Sequence, residues 1–543
     1  MPPVGIEPDM ERRAPTTPTP LKFPTYNLSS VEGSESEASL HDLYSVLSSI
    51  KRPQDISPES FRALNLRVEP DVPIEHIVQG KQMDSLPLLP WESGQPSKDS
   101  PTAVMNNDVP YPTAERFDLL KNELLLDNDG AFREVTRLPP REGRQRVRLT
   151  QTRKFWVGLE RMSQYWDSSL DNYYERPATP KKGPEDAADK GQTDAANKDN
   201  PKGNSQSDPM DIDNQTTPQA SNGNPSQGNE ETPMVTMYTG RRSGAGHEMP
   251  EEVREDAIRA FAEMAAWSFG CQVAAPTLPP RLAVRTLLFP IRQSFGAARS
   301  PRDRQLARKG VMEGPVFVGQ CRPDTTFRNE DEAPGLGVGE LCDLYREVGA
   351  MLLAAQERAR EGTTEVRPGE GKWWTTKPRW GGAPNDGIEE DVSNSDEQPS
   401  MDAGSAHKRS KHAHPPSSRR SGNGRKLSNS ERWKLVQPGP SLWDKKAHYM
   451  QIGKSKESPF DDIYMLSSIN HHLAILHLRV HRRYIDILTW GESNASPDSD
   501  VPDNPWYVLK LRRTRWYDLF DANERLEVFK GVWRIFHYMM RKT

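Results

Sequence analysis

Cysteine is nearly absent: the 543 residues carry 3, Cys271, Cys321 and Cys342, with no C-x-x-C pair. That excludes a zinc-finger framework and a disulfide scaffold, and it fits reduced thiols inside a cell. No run of about 18 apolar residues occurs, so no membrane span is expected. The opening MPPVGIEPDMERRAPTTPTP lacks the apolar core of a signal peptide. Apolar residues make up 34% of the chain, and proline and glycine number 48 and 37. Mean hydropathy is accordingly low, at -0.83. A large fraction therefore cannot bury enough apolar surface to offset the entropy of ordering. The net charge of -5 is small for this length, so any nucleic-acid or membrane signal must be local. Catalytic signatures are missing as well: no G-x-S-x-G, kinase set or H-x-E…P-C-x-x-C is present. No catalytic residue, cofactor or metal is assigned.

Aromatic residues are absent from Tyr174 to Tyr238 and from Trp380 to Trp433. These gaps divide the chain. Residues 1–110 are rich in Pro, Ser and acidic side chains and read as mostly disordered, with transient helices such as 40–50. Residues 111–175 read as a helical segment of the core: Phe117, Leu120, Leu124 and Leu125 share a face, and a stronger helix is expected over 150–175. Residues 176–233 form a disordered low-complexity insertion. Residues 234–382 read as a central α+β segment, with helices after Pro250 and over 338–360 and short strands at 281–289 and 314–321. Residues 383–430 form a disordered linker. Residues 431–543 read as helical, with a long helix at 461–489 on Ile463, Leu466, Ile469, Leu473, Leu476 and Val480, and a last helix at 522–541. The expected fold is mainly α with a minor β component (α+β), as one composite helical domain interrupted by two long disordered insertions. Such insertions cost little, because closure entropy grows only logarithmically with length.

The most specific string is VRPGEGKWWTTKPRWGG at 366–382. Trp373, Trp374 and Trp380 stand among Lys372, Lys377 and Arg379, and prolines break any regular helix. Three tryptophans would bury well over 400 Å² at roughly 150–250 Å² each. The segment is read as docking on its own fold, with recognition of a partner as the alternative.

Basic residues cluster in three places. Lys408, Arg409, Lys411, Arg419, Arg420, Arg425 and Lys426 lie in an aromatic-free linker and form two groups, the pattern an import receptor reads on an extended chain. Arg144, Arg146, Arg148, Arg153 and Lys154 stand beside Phe155 and Trp156, a combination suited to phosphate neutralisation and base stacking. A third stretch runs over 281–309. The plainer reading is that these arginines pair with acidic groups of the fold. Gly240, Gly244 and Gly246 precede a helix, but the string is neither a P-loop nor a dinucleotide fingerprint. His471, His472, His477 and His481 lie close in sequence, yet no carboxylate or cysteine at ligand spacing completes a metal set.

At YTGRRSGAGHEMPEE (238–252), RPGEGKWWTTKPRWGG (367–382), SPFDDIYMLSSINHH (458–472) and RTRWYDLFD (513–521) the chain resembles a family of filamentous-fungal proteins for which no chemistry is established. The resemblance covers roughly 234–382 and 432–543 and implies no activity. It leans towards fungal nuclear regulators of hyphal morphology and stress response.

These features together point to a non-enzymatic nuclear regulatory or interaction protein, located in the nucleus with some in the cytoplasm. Its expected partners are a nuclear import receptor and regulatory proteins, with no membrane. Nucleic-acid binding through 133–154 and 281–309 is the runner-up, and an enzyme of unrecognised type is the third class. Replacing Arg419, Arg420, Arg425 and Lys426 by alanine is expected to abolish nuclear accumulation of a fluorescently tagged chain. Unchanged accumulation would contradict the import reading.

Overall fold

The computed structural model describes residues 11–26, 36–50, 52–78, 88–92, 103–177, 234–276, 280–285, 287–360, 448–455, 458–493 and 505–543. The tryptophan segment (Lys372, Trp373, Trp374, Lys377, Arg379, Trp380) and the basic linker (Lys408, Arg409, Lys411, Arg419, Arg420, Arg425, Lys426) lie outside them.

The first elements are β1 (Arg12–Arg13), α1 (Glu37–Ser49), α2 (Pro58–Leu64), β2 (Leu66–Glu69), α3 (Ala114–Leu124), α4 (Asn128–Thr136), α5 (Arg153–Trp166), β3 (Asn172–Pro177) and β4 (Met234–Thr239). Next come α6 (Glu251–Ser268), β5 (Gln272–Ala274), β6 (Arg281–Val284), β7 (Leu287–Pro290), β8 (Phe295–Arg299), α7 (Arg304–Arg308), β9 (Val311–Arg322) and α8 (Val338–Ala359). The chain ends with β10 (His448–Met450), β11 (Phe460–Ile469), β12 (His472–His481), α9 (Arg482–Trp490), β13 (Leu509–Arg513), β14 (Tyr517–Asp518) and α10 (Ala522–Met539).

Two units emerge from these elements. The smaller spans Pro8–Ala14 with Leu170–Gly240, and its described residues form an antiparallel sheet in the order β1-β4-β3. Its Tyr238 hydroxyl donates to Asp171 at 2.7 Å.

The larger unit is built on a nine-stranded mixed sheet with the path β2-β13-β12-β11-β9-β8-β5, β10 pairing β9 and β14 pairing β12. β9 and β11 are parallel, whereas β11 and β12 form a long antiparallel hairpin. Side chains alternate along these strands. Tyr464, Leu466, Leu473 and Ile475 join Phe117, Phe132, Trp156, Phe261, Phe529 and Trp533 in one core, beneath α3, α4, α5, α6 and α10. Ile463, Met465, Ala474, Leu476 and Leu478 join Leu43, Phe61, Tyr345, Leu352 and Tyr484 in a second core, beneath α1, α2, α8 and α9. The sheet is thus covered by helices on both faces, an α/β architecture. Close packing backs this up: a Cβ at Gly158 of α5 would stand 2.7 Å from the Ala257 Cα of α6.

The mainly helical expectation is therefore corrected. The long helix expected at 461–489 is the β11–β12 hairpin followed by α9. Its residues are apolar on both alternating faces because both faces are buried. Such a run contains i, i+3 and i+4 apolar pairs by necessity, and it mimics a helical stripe. The turn is Asn470–His471, where Asn470 takes the left-handed φ of 53° that asparagine tolerates. The helix expected over 150–175 stops at Trp166, and Tyr173 belongs to β3. In the stretch expected to be mostly disordered, α1 and α2 bury Leu40, Leu43, Leu47, Phe61 and Leu64. The amphipathic spacing of Leu40, Leu43 and Leu47 was the signal outweighed there by proline and serine content.

Among the described residues no helix is long and apolar enough to cross a membrane. Cys271, Cys321 and Cys342 are free and buried. Burial pushes the first two thiols up to about 12 and Cys342 up to about 11.

Candidate functional site

Parallel strands β9 and β11 end side by side, with Arg322 in register with Ile469. In α/β sheets ligands favour the carboxyl ends of such strands, and here the polar residues converge. Arg322 is 1% exposed. Its Nη1 donates to Asp343 Oδ2 at 2.5 Å and lies 3.1 Å from Glu347 Oε1, and its Nη2 donates to the Ser467 hydroxyl. Arg513, at the end of β13, donates to Glu347 Oε2 at 2.8 Å. Ser467 in turn donates to Glu347 Oε1 at 2.6 Å. Asp343 and Glu347 are four residues apart on α8, so both carboxylates project from one face of that helix.

All four charged side chains are sealed from solvent. Desolvation of two cations and two anions is costly, and mutual pairing offsets it only with good geometry. Burial raises the Asp343 carboxyl to about 6, helped by Glu347 beside it and opposed by Arg322. Burial also disfavours ionised Glu347, but Arg513 and Arg322 outweigh it and the carboxyl is held below its usual range. Pairing is incomplete. Asp343 Oδ1, Arg513 Nη2 and the Tyr26 hydroxyl are buried without a hydrogen-bond partner. Buried unpaired polar atoms are uncommon in native folds, and each calls for an explanation.

A strap of residues 15–26 closes this site. It carries Pro15, Pro18, Pro20 and Pro24 and forms no strand. Tyr26 lies over the Arg513 guanidinium, 3.3 Å from ring centroid to Cζ. Trp516 covers Arg513 and Arg322 at 5.1 and 5.5 Å. Phe23 stacks on Trp516 at 5.5 Å and meets His472 edge-on at 4.8 Å. The backbone is pinned at separate points. The Lys22 amide donates to the Thr325 carbonyl, the Thr25 amide to Glu340 Oε1, and Arg242 to the Thr16 carbonyl, each at 2.8 Å.

The glycine loop 240–246 is spent internally. The Gly246 amide donates to the Thr19 hydroxyl of the strap at 2.8 Å, and the Ala245 amide to Glu248 at 2.8 Å.

The candidate nucleic-acid residues fall elsewhere, around α4 and α5. Arg144 pairs with Asp127, Arg146 and Arg153 with Glu134, and Lys154 with Glu263. Arg148 is exposed. Such surface pairs contribute only about 0–1 kcal/mol each and do not themselves bar a polyanion. Asp127, Asp129 and Glu134, interleaved with the arginines, would repel one. The histidines do not share a helix: His471 and His472 sit at the hairpin turn, and His477 pairs with Asp462 at 2.9 Å further along β12.

Arg322, Asp343, Glu347 and Tyr26 were not singled out in the sequence, and Arg513 and Trp516 stood out only as part of the string RTRWYDLFD. One signal was present, the pair Asp343 and Glu347 inside the apolar stripe of 338–360. Compared with known proteins, the chain matches no family model, no curated protein and no solved structure.

Two outcomes follow from this geometry. Glu347→Gln leaves two guanidinium groups facing one carboxylate in a buried site, and the loss is expected to be about 3–5 kcal/mol in urea unfolding. A loss below about 1 kcal/mol would contradict the account. The Asp343 carboxyl binds its proton more tightly folded than unfolded, where it titrates near 3.9. Its contribution to stability therefore falls as pH rises from about 4 to about 6, and Asp343→Asn should remove that decline.

Proposed function

We propose that this chain is a regulatory interaction protein whose strap, residues 15–26, occupies its own recognition groove and yields it to a partner segment of the same chemistry. That partner is an extended, proline-spaced peptide carrying aromatic side chains. The observation that carries the reading is the seating of Phe23 and Tyr26 on Trp516 and Arg513 by an extended segment without a strand ladder. Aromatic anchors in a groove, spaced by proline, are a recurring way of binding peptides at low ordering cost. Nuclear action, with an import receptor reading the 408–426 linker, is proposed on the sequence pattern. Nucleic-acid binding is less favoured because the carboxylates of α4 sit among the arginines.

A chain lacking residues 1–26 should bind a synthetic peptide of residues 15–26 in trans, and Phe23→Ala with Tyr26→Ala in the peptide should abolish that binding. Fluorescence anisotropy with a labelled peptide reads both. A folded truncated chain that ignores the peptide would overturn the proposal. If the truncation does not fold, the double substitution in the full chain replaces it. The altered chain should capture the wild-type peptide in trans, and failure to do so would equally count against the proposal.

A further inference from the structure

We infer that His471, His472 and Asp518 form a binding site for a divalent transition-metal ion, zinc above all. The β11–β12 turn presents the two imidazoles next to each other, and β14 pairs with β12 so that Asp518 faces His472 in register. One ligand atom from each residue lies within 4.8 Å of the others. His471 Nε2 is 3.9 Å from Asp518 Oδ1. A tetrahedral ion with bonds of about 2.0–2.2 Å needs neighbouring donors roughly 3.3 Å apart, so side-chain rotations that close the set by up to about 1.5 Å are enough.

Ordinary packing does not account for the polar atoms. His471 is 8% exposed, and the Nδ1 atoms of both His471 and His472 are buried without a hydrogen-bond partner. The rings themselves are well placed. Trp166 and Phe520 flank His471 at 5.1 and 4.9 Å, and Phe23 flanks His472. That aromatic wall packs against the rings, but it supplies nothing for the nitrogens.

Three further carboxylates, Glu524, Asp521 and Asp167, lie near enough to act on Asp518, and Arg515 pairs with Glu524 at 2.6 Å. The nearby Arg525 directs its guanidinium to the carbonyls of Leu124 and Leu519 and to Asn128. Asp518 Oδ1 also accepts the Phe520 amide at 2.8 Å, which holds the carboxylate in place, as groups behind a metal ligand do. Two imidazoles with one carboxylate suit zinc and its transition-metal neighbours rather than magnesium or calcium. Three protein ligands leave a fourth position for water or another donor.

The test uses the full chain without a histidine tag, stripped with a chelator and titrated calorimetrically with Zn2+. Wild type should bind one equivalent at this site, and His472→Ala and Asp518→Asn should each weaken it at least tenfold. Co2+ in place of Zn2+ should develop ligand-field absorption in wild type and lose it in both variants. Because Asp518→Asn keeps the side-chain shape, it decides the matter if His472→Ala fails to fold. Affinity and absorption unchanged in Asp518→Asn, or no binding by wild type, would overturn the inference.

Discussion

Two guanidinium groups and two carboxylates share a solvent-inaccessible space between α8 and the end of the sheet, and much of the larger unit is arranged so that they can. Arg322 ends β9, Arg513 ends β13, and Ser467 comes from β11 between them. Register is therefore not free. Sliding any of these strands by one residue would turn its arginine or serine to the opposite face and leave Asp343 and Glu347 unpaired in the core. A buried network of this kind is weak evidence for stability, since apolar residues could fill the same volume. What the network does supply is the surface above it. It presents flat, weakly hydrated guanidinium faces on which Trp516 and Tyr26 can lie.

Legibility in the sequence followed spacing and punctuation. Helices such as α6, α8 and α10 were visible from apolar residues at helical spacing and from starts such as Pro250 with Glu251 and Glu252. β9 was visible because glycine and proline bound it. β11 and β12 were not, since burial on both faces erased the alternation that marks a strand. Asn470 at the turn was the remaining local clue. The site was harder still. Its charges come from three elements, β9, α8 and β13, and each looks ordinary on its own: an arginine at the end of a strand, an aspartate and a glutamate within a helix. Only pairing of β9, β11, β12 and β13 brings them together.

The strap links several of these features. It touches the buried cluster through Tyr26, Trp516 and His472 through Phe23, and the glycine loop through Thr19. Each contact is small, and none belongs to a sheet ladder. A segment held this way can leave without unfolding the layers beneath it, because a local opening costs only the interactions that it breaks. The strands below are held on both faces by helices and have no comparable route.

The account therefore turns on whether the strap opens independently of the sheet. Native-state hydrogen exchange of the full chain, read by mass spectrometry on peptides covering 15–26, β9 and β11, measures this directly. The account predicts that the Lys22 and Thr25 amides exchange orders of magnitude faster than those of β9 and β11, and that denaturant well below the unfolding midpoint leaves their rate unchanged. Strap amides that exchange only with the sheet, at its rate and with its denaturant dependence, would contradict it.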